Sequence, residues 1–134
     1  MTDRATVYVI DDDDSVRRAI GRLLRVVGYH VVLLDCVPAF LALPVVESPA
    51  CLVVDVRMPG MTGLDLQEAL NAARRSLPLV FMTGQAESDT AARVLDAGAV
   101  AFLTKPVDAD RLCAVVHRAI HAAESRHAAP RPAR

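Results

Sequence analysis

Five positions in this chain carry side chains whose types could do chemistry together: Asp11, Asp12, Asp55, Thr83 and Lys105. Each stands at or just past the end of a short apolar run. Asp11 and Asp12 follow Thr6–Ile10, Asp55 follows Cys51–Val54, Thr83 follows Leu79–Met82, and Lys105 comes after Val100–Leu103 through Thr104. Three carboxylates gathered in one place raise one another's pKa values unless a cation balances them. An oxygen-only ligand set favours a hard divalent ion, Mg²⁺ with waters retained, and Mn²⁺ as its substitute. A lysine and a threonine hydroxyl at neighbouring positions add a positive charge and a hydrogen bond. That set is incomplete for cleaving a sugar or a peptide. It suits the handling of a phosphoryl group on a carboxylate.

For the five to meet, the elements before them must lie side by side. The runs Thr6–Ile10, His30–Leu34, Cys51–Val54, Leu79–Met82 and Val100–Leu103 are apolar without alternation, which predicts strands covered on both faces, as in a parallel sheet. Helical periods separate them. In the first, Val16, Ala19, Ile20, Leu23, Leu24 and Val27 share a face, Arg17, Arg18, Arg22 and Arg25 lie outside, and Gly28 stops the helix. The second, Val37 to Leu43, is short. The third carries Leu66, Ala69, Leu70 and Ala73, with Thr62 and Asp65 in capping-box spacing. The fourth holds Ala91, Val94 and Leu95 before Gly98. The last, capped by Asp108, repeats the spacing at Leu112, Val115, Val116, Ala119, Ile120 and Ala123.

Five βα units predict an α/β fold, a doubly wound (βα)5 sandwich around a five-stranded parallel sheet. In such sheets ligands bind beyond the carboxyl ends of the strands, where the strand order reverses. In the order 2-1-3-4-5, strands 1 and 3 are neighbours and their three aspartates converge. Residues 1–123 form the expected domain, and the Ala/Arg/Pro-rich 124–134 reads as a tail or the start of a linker.

Composition narrows the field further. The 134 residues carry a net charge of −1 and are 53% hydrophobic, which fits one domain with a real core. The basic residues are fourteen arginines and one lysine, so the single use of Lys105 points to chemistry that Arg cannot replace. Three widely spaced cysteines without a C-x-x-C pair predict reduced structural thiols rather than a disulfide framework or a zinc site. Near-neutrality and five aromatic residues argue against nucleic-acid contact by this chain itself. No apolar run is long enough to span a bilayer and no secretory signal opens the chain, so a cytoplasmic location without membrane contact is expected. No Gly-rich phosphate loop is present, which excludes the common nucleotide-triphosphate folds.

Four segments then fall into order: Val9-Ile10-Asp11-Asp12-Asp13-Asp14-Ser15-Val16-Arg17, Val54-Asp55-Val56-Arg57-Met58-Pro59-Gly60-Met61-Thr62-Gly63, Met82-Thr83-Gly84, and Phe102-Leu103-Thr104-Lys105-Pro106. Together they resemble the response-regulator receiver domain of two-component signalling, over Thr6 to Ala123, with the second and third segments most like its FixJ-like branch. The resemblance implies a flavodoxin-like topology and a signalling phosphoacceptor rather than a conventional enzyme. It makes Asp55 the phosphoacceptor, receiving a phosphoryl group from a sensor histidine kinase, a phosphotransfer protein or a small phosphodonor. Asp12 would ligate Mg²⁺ directly, Asp11 mainly through water, and the Arg57 backbone carbonyl would complete the protein ligands with Asp55. Lys105 would pair with Asp55 and then with a phosphoryl oxygen, and a cis peptide would join Lys105 to Pro106. Thr83 and Phe102 would act as a switch reporting to the face of the fourth helix, fifth strand and fifth helix, through which a phosphorylated homodimer would form. Phe102 stands where many relatives have Tyr, so no hydroxyl is available there. Arg57 and Gln85 occupy positions that tune hydrolysis in the family.

The same residues admit other readings. Asp11 and Asp12 could simply cap the first helix, although Asp13 and Asp14 stand nearer the cap. Thr83 could be a strand filler, Asp35 a structural residue at an edge strand, and the arginine stripe either a solvated face or a kinase-docking surface. His117 with His121, and Cys113 with His117, have i, i+4 spacing but no further ligand nearby, which favours an exposed helix face. For the whole chain the alternative to a free-standing receiver is the N-terminal receiver part of a DNA-binding transcriptional regulator, its helix-turn-helix module lying beyond Arg134. A Mg²⁺-dependent phosphohydrolase lacks a second acid after Asp55. A flavin-binding domain would have its phosphate repelled by Asp11 and Asp12.

Overall fold

The computed structural model describes residues 5–44, 48–56, 63–72, 77–84 and 99–128. Its elements are β1 (Thr6–Ile10), α1 (Asp14–Val27), β2 (His30–Leu34), α2 (Val37–Leu41), β3 (Ala50–Asp55), α3 (Gly63–Ala72), β4 (Leu79–Thr83), β5 (Ala101–Thr104) and the C-terminal helix α4 (Ala109–Ala128). The five strands form one parallel sheet in the order β2-β1-β3-β4-β5. This is the predicted doubly wound topology, with the first and third strands adjacent. The fourth helical period, the Thr62 cap, Ala73, Arg57 and Gln85 lie outside the described residues.

The unbroken apolarity of the strands has a direct structural cause. Successive side chains alternate between faces, and each face has its own helix layer. Val7, Val9, Cys51, Val53, Val80 and Met82 pack with Ile20 and Leu24 of α1 and with Leu112, Val116 and Ala119 of α4. Tyr8, Ile10, Leu52, Val54 and Phe81 pack with Val37 and Phe40 of α2 and Leu66 and Leu70 of α3. Both faces are therefore dry. Cys51 lies inside the first cluster, and burial pushes its thiol up to about 12, so it stays protonated and unreactive at neutral pH. All three cysteines are free, in agreement with the expectation of reduced thiols.

Local signals fix where α1 begins and ends. The Asp13 carboxylate accepts hydrogen bonds from the Ser15 and Val16 amides at 3.0 and 3.1 Å, so Asp13 is the N-cap. Gly28 closes the helix at φ 119°, a left-handed conformation that costs glycine little, and its N–H returns to the Leu24 and Arg25 carbonyls. Between these ends, Gly21 lets α1 approach β2. A Cβ there would stand 2.8 Å from Leu33 Cδ2.

The structure corrects the sequence reading in three places here. Val27 belongs to the apolar stripe yet is 51% exposed. Only Gly28 and Tyr29 separate it from β2, so it stands where the chain turns into the amino end of that strand. Arg17 was expected outside, but its side chain is only 16% exposed and folds back toward the β1–α1 loop. The C-terminal helix runs on to Ala128, past the boundary placed at residue 123. Its Glu124-Ser125-Arg126-His127-Ala128 end has no helix breaker, and the first proline comes only at Pro130. Asp108 caps this helix as predicted, accepting from the Arg111 amide at 2.9 Å.

Candidate functional site at the carboxyl end of the sheet

Register explains why the acids meet. Ile10 pairs with Val54, so Asp11 and Asp55 are the next residues on adjacent parallel strands. Asp55 pairs with Met82, and Thr83 pairs with Thr104, which brings the ends of β4 and β5 alongside. The Lys105 amide donates to the Thr83 carbonyl at 2.6 Å, extending that pairing by one residue. Asp55 continues the parity of Cys51 and Val53, and Lys105 that of Ala101 and Leu103, so both belong to the α1/α4 side.

The side chains converge accordingly. One carboxylate oxygen from each of Asp11, Asp12 and Asp55 lies within 4.8 Å of the others. Lys105 Nζ donates to Asp55 Oδ2 at 2.8 Å and stands 2.8 Å from Asp11 Oδ2. The Lys105–Pro106 peptide is cis. Asp11 is fully buried, Asp55 and Thr83 nearly so, while Asp12 is exposed at the rim. Phe102 is half-buried and packs against the α2/α3-side cluster. His117 and His121 lie exposed on α4, as expected, and Asp35 is exposed beyond β2.

The β1–α1 loop is held by its own polar groups. The Asp13 amide donates to Asp11 Oδ1 at 2.9 Å. Arg17 donates from Nη1 to the Asp11 carbonyl at 2.6 Å and from Nη2 to Asp14 Oδ1 at 2.7 Å. Arg17 is the participant that sequence reasoning missed. Helical side chains lean toward the helix N-terminus, so a long one in the first turn reaches back over the preceding loop. That lean was the available signal.

Charge bookkeeping leaves the cluster acidic. Three carboxylates face one ammonium, a deficit of two positive charges if all are ionised. Burial alone would push the Lys105 ammonium down, but the contacts to Asp11 and Asp55 outweigh it and hold its pKa above the ordinary 10.5. The lysine is therefore a fixed cation at neutral pH. Asp11 Oδ2 is buried and faces the Lys105 ammonium at 2.8 Å. A buried carboxylate oxygen in that condition, beside two further carboxylates, fits a hard divalent cation.

Known proteins share this arrangement of sequence and fold. The family description of the response regulator receiver domain matches residues 7–117. The transcriptional regulatory protein FixJ of Bradyrhizobium diazoefficiens is 42% identical over 125 residues, 92% of this chain and 60% of that protein. The response regulator protein TodT of Pseudomonas putida is 37% identical over 133 residues, 98% of this chain and 59% of that protein. The crystal structure of full-length FixJ from B. japonicum matches with a TM-score of 0.84 at 41% identity, over 93% of this chain and 62% of that one. The chain thus spans about three-fifths of the length of the curated relatives it matches. The sequence and fold matches agree, and the chain belongs to the response-regulator receiver family, in its FixJ-like branch.

Proposed function

We propose that this domain accepts a phosphoryl group on Asp55 from a sensor histidine kinase or phosphotransfer protein, and relays the signal by changing conformation. The observation that carries the reading is the contact of one Asp55 oxygen with Lys105 at 2.8 Å, with the Asp11 and Asp12 carboxylates beside it. Asp55 supplies the attacking oxygen. A new O–P bond forms as the P–N bond of a phosphohistidine breaks, and the electron pair returns to the imidazole. Phosphoryl transfer depends on alignment and charge neutralisation more than on covalent help. Lys105 serves both stages: it orients the Asp55 carboxylate before transfer and pairs with a phosphoryl oxygen afterwards.

Asp11, Asp12, Asp55 and the Arg57 carbonyl would hold Mg²⁺ or Mn²⁺, Asp12 directly and Asp11 mainly through water. Bound there, the ion offsets the negative charge of the phosphoryl oxygens. Thr83 turns its hydroxyl to the phosphoryl group and vacates space into which Phe102 swings. The half-buried state of Phe102 leaves its ring room to change partners. This bistable pair alters the face to which β5 and α4 contribute, the surface through which phosphorylated copies would dimerise. Sedimentation with and without a phosphoryl mimic checks the last step: mass doubles, and an unchanged mass removes it.

Location tests the central assignment. Borohydride reduction of the trapped acyl phosphate converts the modified aspartate to homoserine, which mass spectrometry then places. Homoserine at residue 55 supports the reading, and homoserine at residue 11 or 12 overturns it.

A second reading concerns the whole protein. Relatives with names such as transcriptional regulatory protein extend well beyond the matched segment, which favours a receiver that controls a DNA-binding module following Arg134. Reading the coding sequence onward settles it: a helix-turn-helix supports this, and a stop codon after Arg134 contradicts it. The proposed exchange with a kinase's phosphohistidine makes a cytoplasmic location part of this reading; among the described residues no helix is long and apolar enough to cross a membrane.

A further inference from the structure

Asp12 is the least supported of the three acids. It is exposed, and among the described residues no hydrogen bond or ion pair holds its carboxylate. Asp11, by contrast, is secured through the Asp13 amide at 2.9 Å and Lys105 at 2.8 Å. What links the two residues is their shared peptide, and Arg17 grips that peptide. Its Nη1 donates to the Asp11 carbonyl at 2.6 Å, while Nη2 is anchored on Asp14 Oδ1 at 2.7 Å. Asp14 is the first residue of α1, so the guanidinium ties the loop to the helix that follows it.

We infer that Arg17 is a positioning residue for the acidic site: its two-pronged hold on the Asp11 carbonyl and Asp14 sets the peptide plane from which Asp12 departs, and so presents the Asp12 carboxylate to the cation. The inference rests on the metal reading given above and extends it to a side chain outside the ligand set. A planar guanidinium is suited to this because it reaches two acceptors in fixed geometry, whereas an ammonium is a point charge with no such fork. Partners that orient metal ligands without touching the metal typically govern affinity by tenfold or more.

Electrostatics makes the idea separable from a mere charge effect. Arg17 is itself a cation near the site, so if its charge alone mattered, removing it would favour a divalent ion. If it acts by positioning, losing the fork weakens binding even when the charge stays. The experiment measures Mn²⁺ binding by its electron paramagnetic resonance in wild type, Arg17→Lys, Arg17→Met and Asp12→Asn, each confirmed folded by thermal melting without metal. Positioning predicts that Arg17→Lys binds Mn²⁺ about tenfold more weakly than wild type, that Arg17→Met is also weakened, and that Asp13 amide exchange quickens in both without metal. Wild-type affinity in Arg17→Lys, or tighter binding in Arg17→Met, overturns the proposal. Should Arg17→Met fail to fold, Arg17→Lys decides alone. Equal Mn²⁺ binding by wild type and Asp12→Asn would instead overturn the metal reading itself, which distinguishes the two failures.

Discussion

Leu52 and Asp55 stand three residues apart on β3, and both are withdrawn from water, at 0% and 7% exposure. The same burial acts on them in opposite directions. For Leu52 it contributes about 2 kcal/mol by removing apolar surface from water. For Asp55 it opposes the charged form, and the offset comes from Lys105 at 2.8 Å. The sheet interior is thus stable by its own composition, while its carboxyl end depends on one lysine that is distant in sequence. A parallel sheet allows that division, because every strand delivers its last residue to the same end.

Substitutions that strike one region and spare the other sharpen the contrast. The largest effect is expected in the interior, away from the acids. Phe40 of α2 is fully buried and meets Tyr8 edge-on at 5.0 Å between ring centroids. Phe40→Ala should cost about 4 kcal/mol in denaturant unfolding, with Asp55 of the folded fraction still phosphorylated. A loss of labelling beyond the folded fraction would show that the two regions are not separable.

Lys105→Met strikes the other end. It leaves Asp11 and Asp55 buried without their cation, which should cost about 2 kcal/mol at neutral pH without metal. Its pH dependence is the sharper prediction. The Lys105 pKa is raised in the folded state, so its stabilisation is complete below 10.5 and fades as pH climbs through the folded value above that. The gap between wild type and variant should therefore hold up to about 10.5 and close as the pH climbs beyond it. A gap independent of pH would contradict this account.

The smallest effect is expected at Gly21, where α1 leans on β2. Gly21→Val should cost about 1 kcal/mol, because Leu33 Cδ2 occupies the place a Cβ would take and must shift. Unchanged thermal stability would mean that Leu33 yields without strain.

Much of this was legible in the residues. Continuous apolar runs that end in polar residues read as parallel strands, the order implied by the receiver resemblance brings Asp11, Asp12, Asp55 and Lys105 together, and Asp13, Gly28 and Asp108 mark helix ends by local chemistry. What was not legible depends on distance in space. Gly21 reads as a neutral helix residue until Leu33 is placed against it. Val27 continues an apolar stripe, but a stripe does not record where the sheet stops. Arg17 looks like its solvated neighbours Arg18, Arg22 and Arg25, since periodicity assigns a face by Cβ direction and a long side chain can fold back. The end of α4 was lost because Ala, Arg and His without Pro or Gly read as a tail, although nothing among them breaks a helix.

The central claim is that Asp55 takes the phosphoryl group. The most direct test offers a labelled small phosphodonor with Mg²⁺ to wild type and to Asp55→Asn, an isosteric change that keeps a polar partner for Lys105. Label incorporated by wild type and abolished in Asp55→Asn is the predicted result; equal labelling of both proteins would contradict it.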